Sequence, residues 1–128
     1  IILCTRIARE KFSVSPEREK AFDMVRQFYV LVDNHFKEKK MVQDYADMLH
    51  RSPKTLSNLF TTCGLPSPLR IIHERIEAEA KRLLLYSQKS AKEITEILGF
   101  EDQATFSRFF KKMTGESVSE YRKREKQE

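Results

Sequence analysis

Residues 90–115 read SAKEITEILGFEDQATFSRFFKKMTG, and this stretch decides the fold. Ser90, followed three residues later by Glu93, is a capping box, in which each side chain satisfies the other residue's free backbone N–H at a helix start. Ile94, Ile97 and Leu98 then give one apolar face, and Gly99 stands where a left-handed helix end favours a residue without Cβ. Asp102 caps a second helix whose apolar side is Phe106, Phe109, Phe110 and Met113, and Gly115 closes it. A short helix, a tight corner, a longer helix and a glycine stop follow one another. The same order occurs upstream between Tyr45 and Gly64. Superposing the two stretches pairs Tyr45 with Ile94, Leu49 with Leu98, Leu56 with Phe106, Phe60 with Phe110 and Gly64 with Gly115, with a one-residue slip in the corner and another at the stop. A short helix turned tightly into a second one is the helix-turn-helix arrangement, whose second helix fits the major groove of DNA.

Working outward, Ser67 and Pro68 form a cap with proline at the first helical position. From Leu69 the inward positions Ile72, Ile76, Ala80, Leu83 and Leu84 run on towards Ser87, roughly 20 residues that span about 30 Å as a helix. Successive turns of B-DNA present the same groove every ~34 Å, so such a rod is long enough to carry two groove-reading helices. Upstream, Ser15 and Pro16 with acidic Glu17 and Glu19 predict the start of another long helix. Its stripe is Phe22, Val25, Tyr29, Val32 and Phe36, widened by Met24, Phe28 and Leu31. Val42 to Leu49 reads as a short helix, Ser52 and Pro53 open the next with Leu56, Leu59, Phe60 and Cys63 inward, and Ser117 with Glu120 begins a last helix through Tyr121. Ile1 to Phe12 is amphipathic and begins without Met, and is expected to be a helix from the end of an upstream sensor or dimerisation domain. The expected fold is all-α: about seven helices forming two helix-turn-helix subdomains joined by a long linker helix, plus an N-terminal helical appendage. The expected division is 1–22 for that segment and 23–128 for the double helix-turn-helix domain.

Composition agrees. Among 128 residues, 3 Gly and 4 Pro are too few for a turn-rich all-β fold, and 40% hydrophobic residues suffice for a modest core. A net charge of +5 favours a polyanionic partner, though only clustering turns it into a site. Cys4 and Cys63 have no ligand-spaced partners, and His35, His50 and His73 lie in separate elements, so no metal site is expected. No cofactor is expected either: no glycine-flanked serine and no phosphate-cradling glycine loop occurs, so an enzyme is not indicated. No apolar run reaches the ~18 residues of a membrane helix, which makes a cytoplasmic protein the expectation.

The outward residues of the second unit are Gln103, Ala104, Ser107, Arg108 and Lys111, with Thr105 at the edge. Arg pairs bidentately with guanine O6 and N7, Gln with adenine N6 and N7, and Thr or Ala meets a thymine methyl. Lys111 and Lys112 suit phosphates. In the first unit the outward set is Arg51, Ser52, Lys54, Thr55, Ser57, Asn58 and Thr61, which is less basic and should anchor more weakly. The competing interpretation is a helical protein-interaction module whose basic faces are simply solvated.

The segment from Gly99 to Gly115, with Ser117 and Tyr121 after it, strongly resembles the signature of the AraC/XylS family. Arg75, Ala80, Leu83 and Leu84 look like that family's linker helix, Ile94 to Gly99 like its next helix, and Leu56, Ser57, Phe60 and Gly64 like its first recognition unit. The resemblance runs from near Met24 to Lys123. It implies a bacterial transcriptional regulator, usually an activator, with a seven-helix domain that inserts two helices into adjacent segments of the major groove of promoter DNA. By position it carries DNA reading to Gln103, Ala104, Thr105, Ser107 and Arg108, and to Lys54, Thr55, Ser57 and Asn58. It also implies RNA polymerase as a partner and an effector-sensing domain upstream. This chain departs from the family in having Asn58, Thr61 and Thr62 where similar proteins often carry basic residues.

Overall fold

The computed structural model describes residues 16–126, and within them every regular element is an α-helix. There are seven: α1 (Pro16–His35), α2 (Val42–Met48), α3 (Pro53–Thr62), α4 (Pro68–Tyr86), α5 (Ala91–Ile97), α6 (Gln103–Thr114) and α7 (Val118–Lys126). They form two helix-turn-helix subdomains, α2–α3 and α5–α6, linked by α4. The chain divides into two compact units between Ile72 and His73, so the division falls inside α4. The expected appendage Ile1 to Phe12 and the Ser15 cap lie outside the described residues.

In the first unit, α1 packs against α2 and α3. Val25, Phe28, Val32 and Phe36 follow one another at intervals of three, four and four residues, which places them on one side of a 3.6-residue helix, and all four are buried. Phe28, expected only to widen the stripe, lies at its centre. Its ring is 5.0 Å edge-to-face from Phe60 of α3 and 5.5 Å from Tyr45 of α2, so one side chain joins the three helices. Phe22 and Tyr29 are half-buried on the flank. Tyr45 is fully buried, and its hydroxyl donates to the Lys39 carbonyl at 2.6 Å. Burial, and then the Asp44 and Glu38 carboxylates, push the Tyr45 hydroxyl up to about 12. Ile71 and Ile72 are buried at the start of α4, whereas Leu69 stays 44% exposed.

In the second unit, Ile76, Ala80, Leu83 and Leu84 of α4 are buried, as are Ile94, Leu98, Phe106, Phe110, Val118 and Tyr121. Full burial of a side chain such as Phe110 contributes about 1.5–3 kcal/mol. Phe100, Phe106, Phe110 and Tyr121 follow one another with ring centroids 5.4, 6.1 and 5.4 Å apart, which carries the core from the corner into α7. The end of α4 is closed from a distance. Arg122 of α7 donates from Nε to the Leu84 carbonyl at 3.0 Å and from Nη2 to those of Ser87 at 3.4 Å and Lys89 at 2.7 Å. A helix leaves its last carbonyls without intrahelical donors, and this guanidinium supplies one to Leu84. Among the described residues, every buried side-chain polar atom has a hydrogen-bond partner.

Candidate nucleic-acid interface

The two corners are built alike. After α2 the chain turns left-handed at His50, φ 57°, with His50 N–H bonded to the Asp47 carbonyl at 3.2 Å and Arg51 N–H to that of Ala46 at 2.9 Å. After α5 it does so at Gly99, φ 79°, with Gly99 N–H on the Glu96 carbonyl and Phe100 N–H on that of Thr95, both 3.1 Å. This is the same pair of closing bonds, a Schellman motif. The second helix then starts from a side-chain cap: Ser52 Oγ accepts the Thr55 N–H at 3.1 Å, and Asp102 Oδ1 accepts the Thr105 N–H at 2.7 Å. Aligned on these caps, the second corner is one residue longer, as the expected slip requires.

The stops also correspond. Gly64 has φ 72° beyond the α3 C-cap Cys63, and Gly115 has φ 83° as the α6 C-cap. Ahead of α5 the Ser90–Glu93 box is complete: Glu93 N–H donates to Ser90 Oγ at 3.1 Å and Ser90 N–H to Glu93 Oε1 at 3.0 Å. The backbone N–H of Ser90, and then its side chain, hold the Glu93 carboxyl below its ordinary range by hydrogen bonding to it. At α2 the cap residue Met41 has no acceptor of its own, and the Asp44 carboxylate takes its N–H at 3.4 Å.

On α6 the buried Phe106 and Phe110 leave Gln103, Ala104, Arg108, Lys111 and Lys112 exposed, with Thr105 and Ser107 half-buried. At about 100° of turn per residue, Ser107 stands a quarter-turn from Phe106 and belongs to the flank rather than the outward centre. Arg108 Nη2 donates to Thr105 Oγ1 at 3.4 Å. The backbone and hydroxyl of Thr105, and to a smaller extent the charge of Arg108, hold the Asp102 carboxyl below the usual carboxylate range.

On α3, Leu56 and Phe60 are buried while Lys54, Thr55, Ser57, Asn58, Thr61 and Thr62 are exposed, and Arg51 and Ser52 are exposed just before the helix. Several of its hydroxyls are already engaged. Thr61 and Thr62 donate to the carbonyls of Ser57 and Asn58, both at 2.9 Å, and Ser52 Oγ lies 2.9 Å from Thr55 Oγ1. A threonine bonded back to its own helix presents a methyl group and an acceptor oxygen, a weaker attraction for phosphate than the cations of α6. The structure therefore groups the first-unit candidates on one face and most of the second-unit candidates on another. Sequence reasoning missed two elements of this geometry: the Arg122 clamp, which had no signal, and left-handed His50, whose only signal is its repeat partner Gly99.

Among the described residues, no group of three or more His, Cys, Asp and Glu could hold a metal ion, and no helix is long and apolar enough to cross a membrane. A family model described as a helix-turn-helix domain matches residues 45–124, from the buried tyrosine of α2 into α7. The chain belongs to this helix-turn-helix family. It is 30% identical over 122 residues to YisR, an uncharacterized HTH-type transcriptional regulator of Bacillus subtilis, an alignment that covers 94% of this chain and 41% of the relative. It is 36% identical over 92 residues to the arabinose operon regulatory protein of Salmonella typhimurium, covering 72% of this chain and 31% of the relative. The C-terminal domain of AraT, a response regulator from Geobacillus stearothermophilus, superposes with a TM-score of 0.70 at 29% identity, over 78% of this chain and 84% of that one. The helix-turn-helix chain is thus related to transcriptional regulators of the AraC/XylS type. It spans less than half the length of these two curated relatives.

Proposed function

We propose that this chain binds double-stranded promoter DNA sequence-specifically, as the DNA-binding part of an AraC/XylS-family activator, with α3 and α6 each entering a major-groove segment. The repeated corner carries this reading: two helices follow left-handed turns closed by the same pair of bonds, are fixed by side-chain caps, and turn their Leu or Phe faces inward and polar faces outward. In such a motif the N-terminal part of the second helix meets base edges. Gln103, Ala104, Thr105, Ser107 and Arg108 are the proposed reading set of α6, with Lys111 and Lys112 on phosphates. Arg51, Ser52, Lys54, Thr55, Ser57 and Asn58 are that of α3. The relatives' greater length supports an effector-sensing domain elsewhere in the intact protein, and activation implies contact with RNA polymerase.

The test is selection of bound genomic fragments by the purified chain, followed by titrations at several salt concentrations. The expected motif spans two groove segments, and Arg108→Ala relaxes it at one base position by about 1–3 kcal/mol. Lys111→Ala and Lys112→Ala should leave the motif intact and each lower the salt slope by about one. Failure to retain any duplex at low salt, together with capture of a protein partner, would instead favour the interaction module.

A further inference from the structure

Asp102, Thr105 and Arg108 stand three residues apart along one side of α6, and hydrogen bonds join them. The Asp102 carboxylate receives the Thr105 N–H at 2.7 Å, and the Thr105 hydroxyl oxygen receives Arg108 Nη2 at 3.4 Å. The geometry points to Thr105 as a positioning residue, whose hydroxyl holds the Arg108 guanidinium over the N-terminal turn of α6 and thereby selects the base edge that it reads. The inference rests on the DNA-binding reading above and refines it, because Thr105 then acts through Arg108 instead of meeting DNA itself.

Two observations and the chemistry of arginine carry it. Arg108 is exposed and Thr105 half-buried, so the guanidinium faces solvent while its anchor is held by the packing beside Phe106. An untethered arginine on a helix surface samples many rotamers, several of which reach a phosphate as easily as a base. Bonding to the residue one turn earlier draws the head group towards the helix N-terminus, the end that approaches base edges. Arginine has five N–H donors, so one bond to Thr105 leaves enough for a bidentate pair with guanine O6 and N7. The first unit provides the internal contrast. There the corresponding positions are Ser52, Thr55 and Asn58, the Thr55 hydroxyl lies against the Ser52 cap at 2.9 Å, and no arginine follows. The tether belongs to α6 alone.

The experiment uses the full chain as wild type, Thr105→Val, Thr105→Ser, Arg108→Ala and the Thr105→Val/Arg108→Ala double variant. Each is titrated against duplexes that differ only at the base position relaxed by Arg108→Ala, with thermal melting measured in parallel. Valine keeps the shape of threonine and the capped backbone N–H but removes the hydroxyl, both as acceptor for Arg108 and as partner of the Asp102 carboxylate. Thr105→Val should lower the preference for guanine at that position by about threefold to tenfold, as expected for loss of one coupled contact, with only the small fall in melting temperature that loss of its bond to the Asp102 cap brings in either Arg108 background. Thr105→Ser should keep the preference, and Thr105→Val should add nothing in the Arg108→Ala background. An unchanged preference in Thr105→Val would overturn the inference, as would an equal loss with and without Arg108, which would place Thr105 directly on the DNA. If wild type selects no duplex, the DNA-binding reading itself fails; if it selects one that Arg108→Ala leaves equally specific, only the role of Arg108 and its tether fails.

Discussion

Gly115→Ala and His50→Gly should change stability in opposite directions, although both alter a left-handed residue at a helix end. Gly115 has φ 83°, and a Cβ built on it meets nothing within 4 Å, so an alanine there bears a conformational cost without a clash. That cost is about 1–2 kcal/mol for an L-residue. Alanine also restricts the unfolded chain, which offsets about 0.4–1 kcal/mol. The net loss is about 1 kcal/mol, with the Gly115 N–H to Lys111 carbonyl bond, 2.7 Å, as the contact under strain. His50 already sits at φ 57°. Its side chain is exposed, and its turn is held by backbone bonds that glycine also makes. Histidine tolerates this region better than most residues, so His50→Gly should stabilise by only about 0.5 kcal/mol once the freedom restored to the unfolded chain is subtracted. Urea unfolding of the full chain followed by circular dichroism measures both, and hydrogen exchange assigns the loss to the end of α6 and the gain to the end of α2. A shift of both variants in the same direction, or a neutral Gly115→Ala, would refute the claim that these turns are fixed left-handed by the fold.

Two further outcomes follow from the second unit. Phe110→Ala removes a fully buried ring that lies between Phe106 and Tyr121, and should cost about 3–5 kcal/mol in urea unfolding; a loss under 1 kcal/mol would mean that the core is not organised around it. His73 lies edge-on to Phe109 at 5.2 Å, and burial, then the Lys112 charge, lowers its pKa below 6.5. The folded state then binds fewer protons than the unfolded one, so the His73 contribution is complete above pH 6.5 and is lost as pH falls towards the lowered folded value. An NMR titration of the His73 ring with its midpoint at or above 6.5 would contradict this, and Lys112→Ala should move the midpoint upward.

The helix starts were legible because capping is local chemistry. Ser52 with Pro53, Ser90 with Glu93, Asp102, and Ser117 with Glu120 each satisfy a backbone N–H three residues away, and such a rule can be read from adjacent letters. The apolar stripe was legible in direction and less so in width. Leu69 and Ile71 stand near opposite edges of the α4 stripe set by Ile72 and Ile76, yet only Ile71 is buried, because tertiary neighbours decide which edge is covered. Ser107 met the same limit on α6. Arg122 lay beyond such rules altogether: it acts on carbonyls 33 to 38 positions earlier, and no periodicity connects a tail arginine to the end of α4. His50 was recoverable in principle. The repeat aligns it with Gly99, and that pairing alone marks a non-glycine residue at a position with positive φ.

The repeat preserves backbone and caps while the two outward faces diverge, and that divergence has a consequence for the proposed function. Arg108, Lys111 and Lys112 lie on α6, whereas α3 carries Lys54 and hydroxyls already bonded within their own helix. On α3 alone, such a face would give weak binding with a shallower salt dependence than α6. Joined through the continuous helix α4, it need not bind alone. Once α6 engages its groove, α3 meets DNA as an intramolecular partner at an effective concentration on the order of millimolar, provided the linkage lets both engage together. On the proposed function, modest contacts from Thr55, Ser57 and Asn58 would then suffice to discriminate sites without adding phosphate affinity. Most of the salt dependence should therefore reside in the second unit and a disproportionate share of base discrimination per unit of affinity in the first, a division that a symmetric pair of basic helices would not produce.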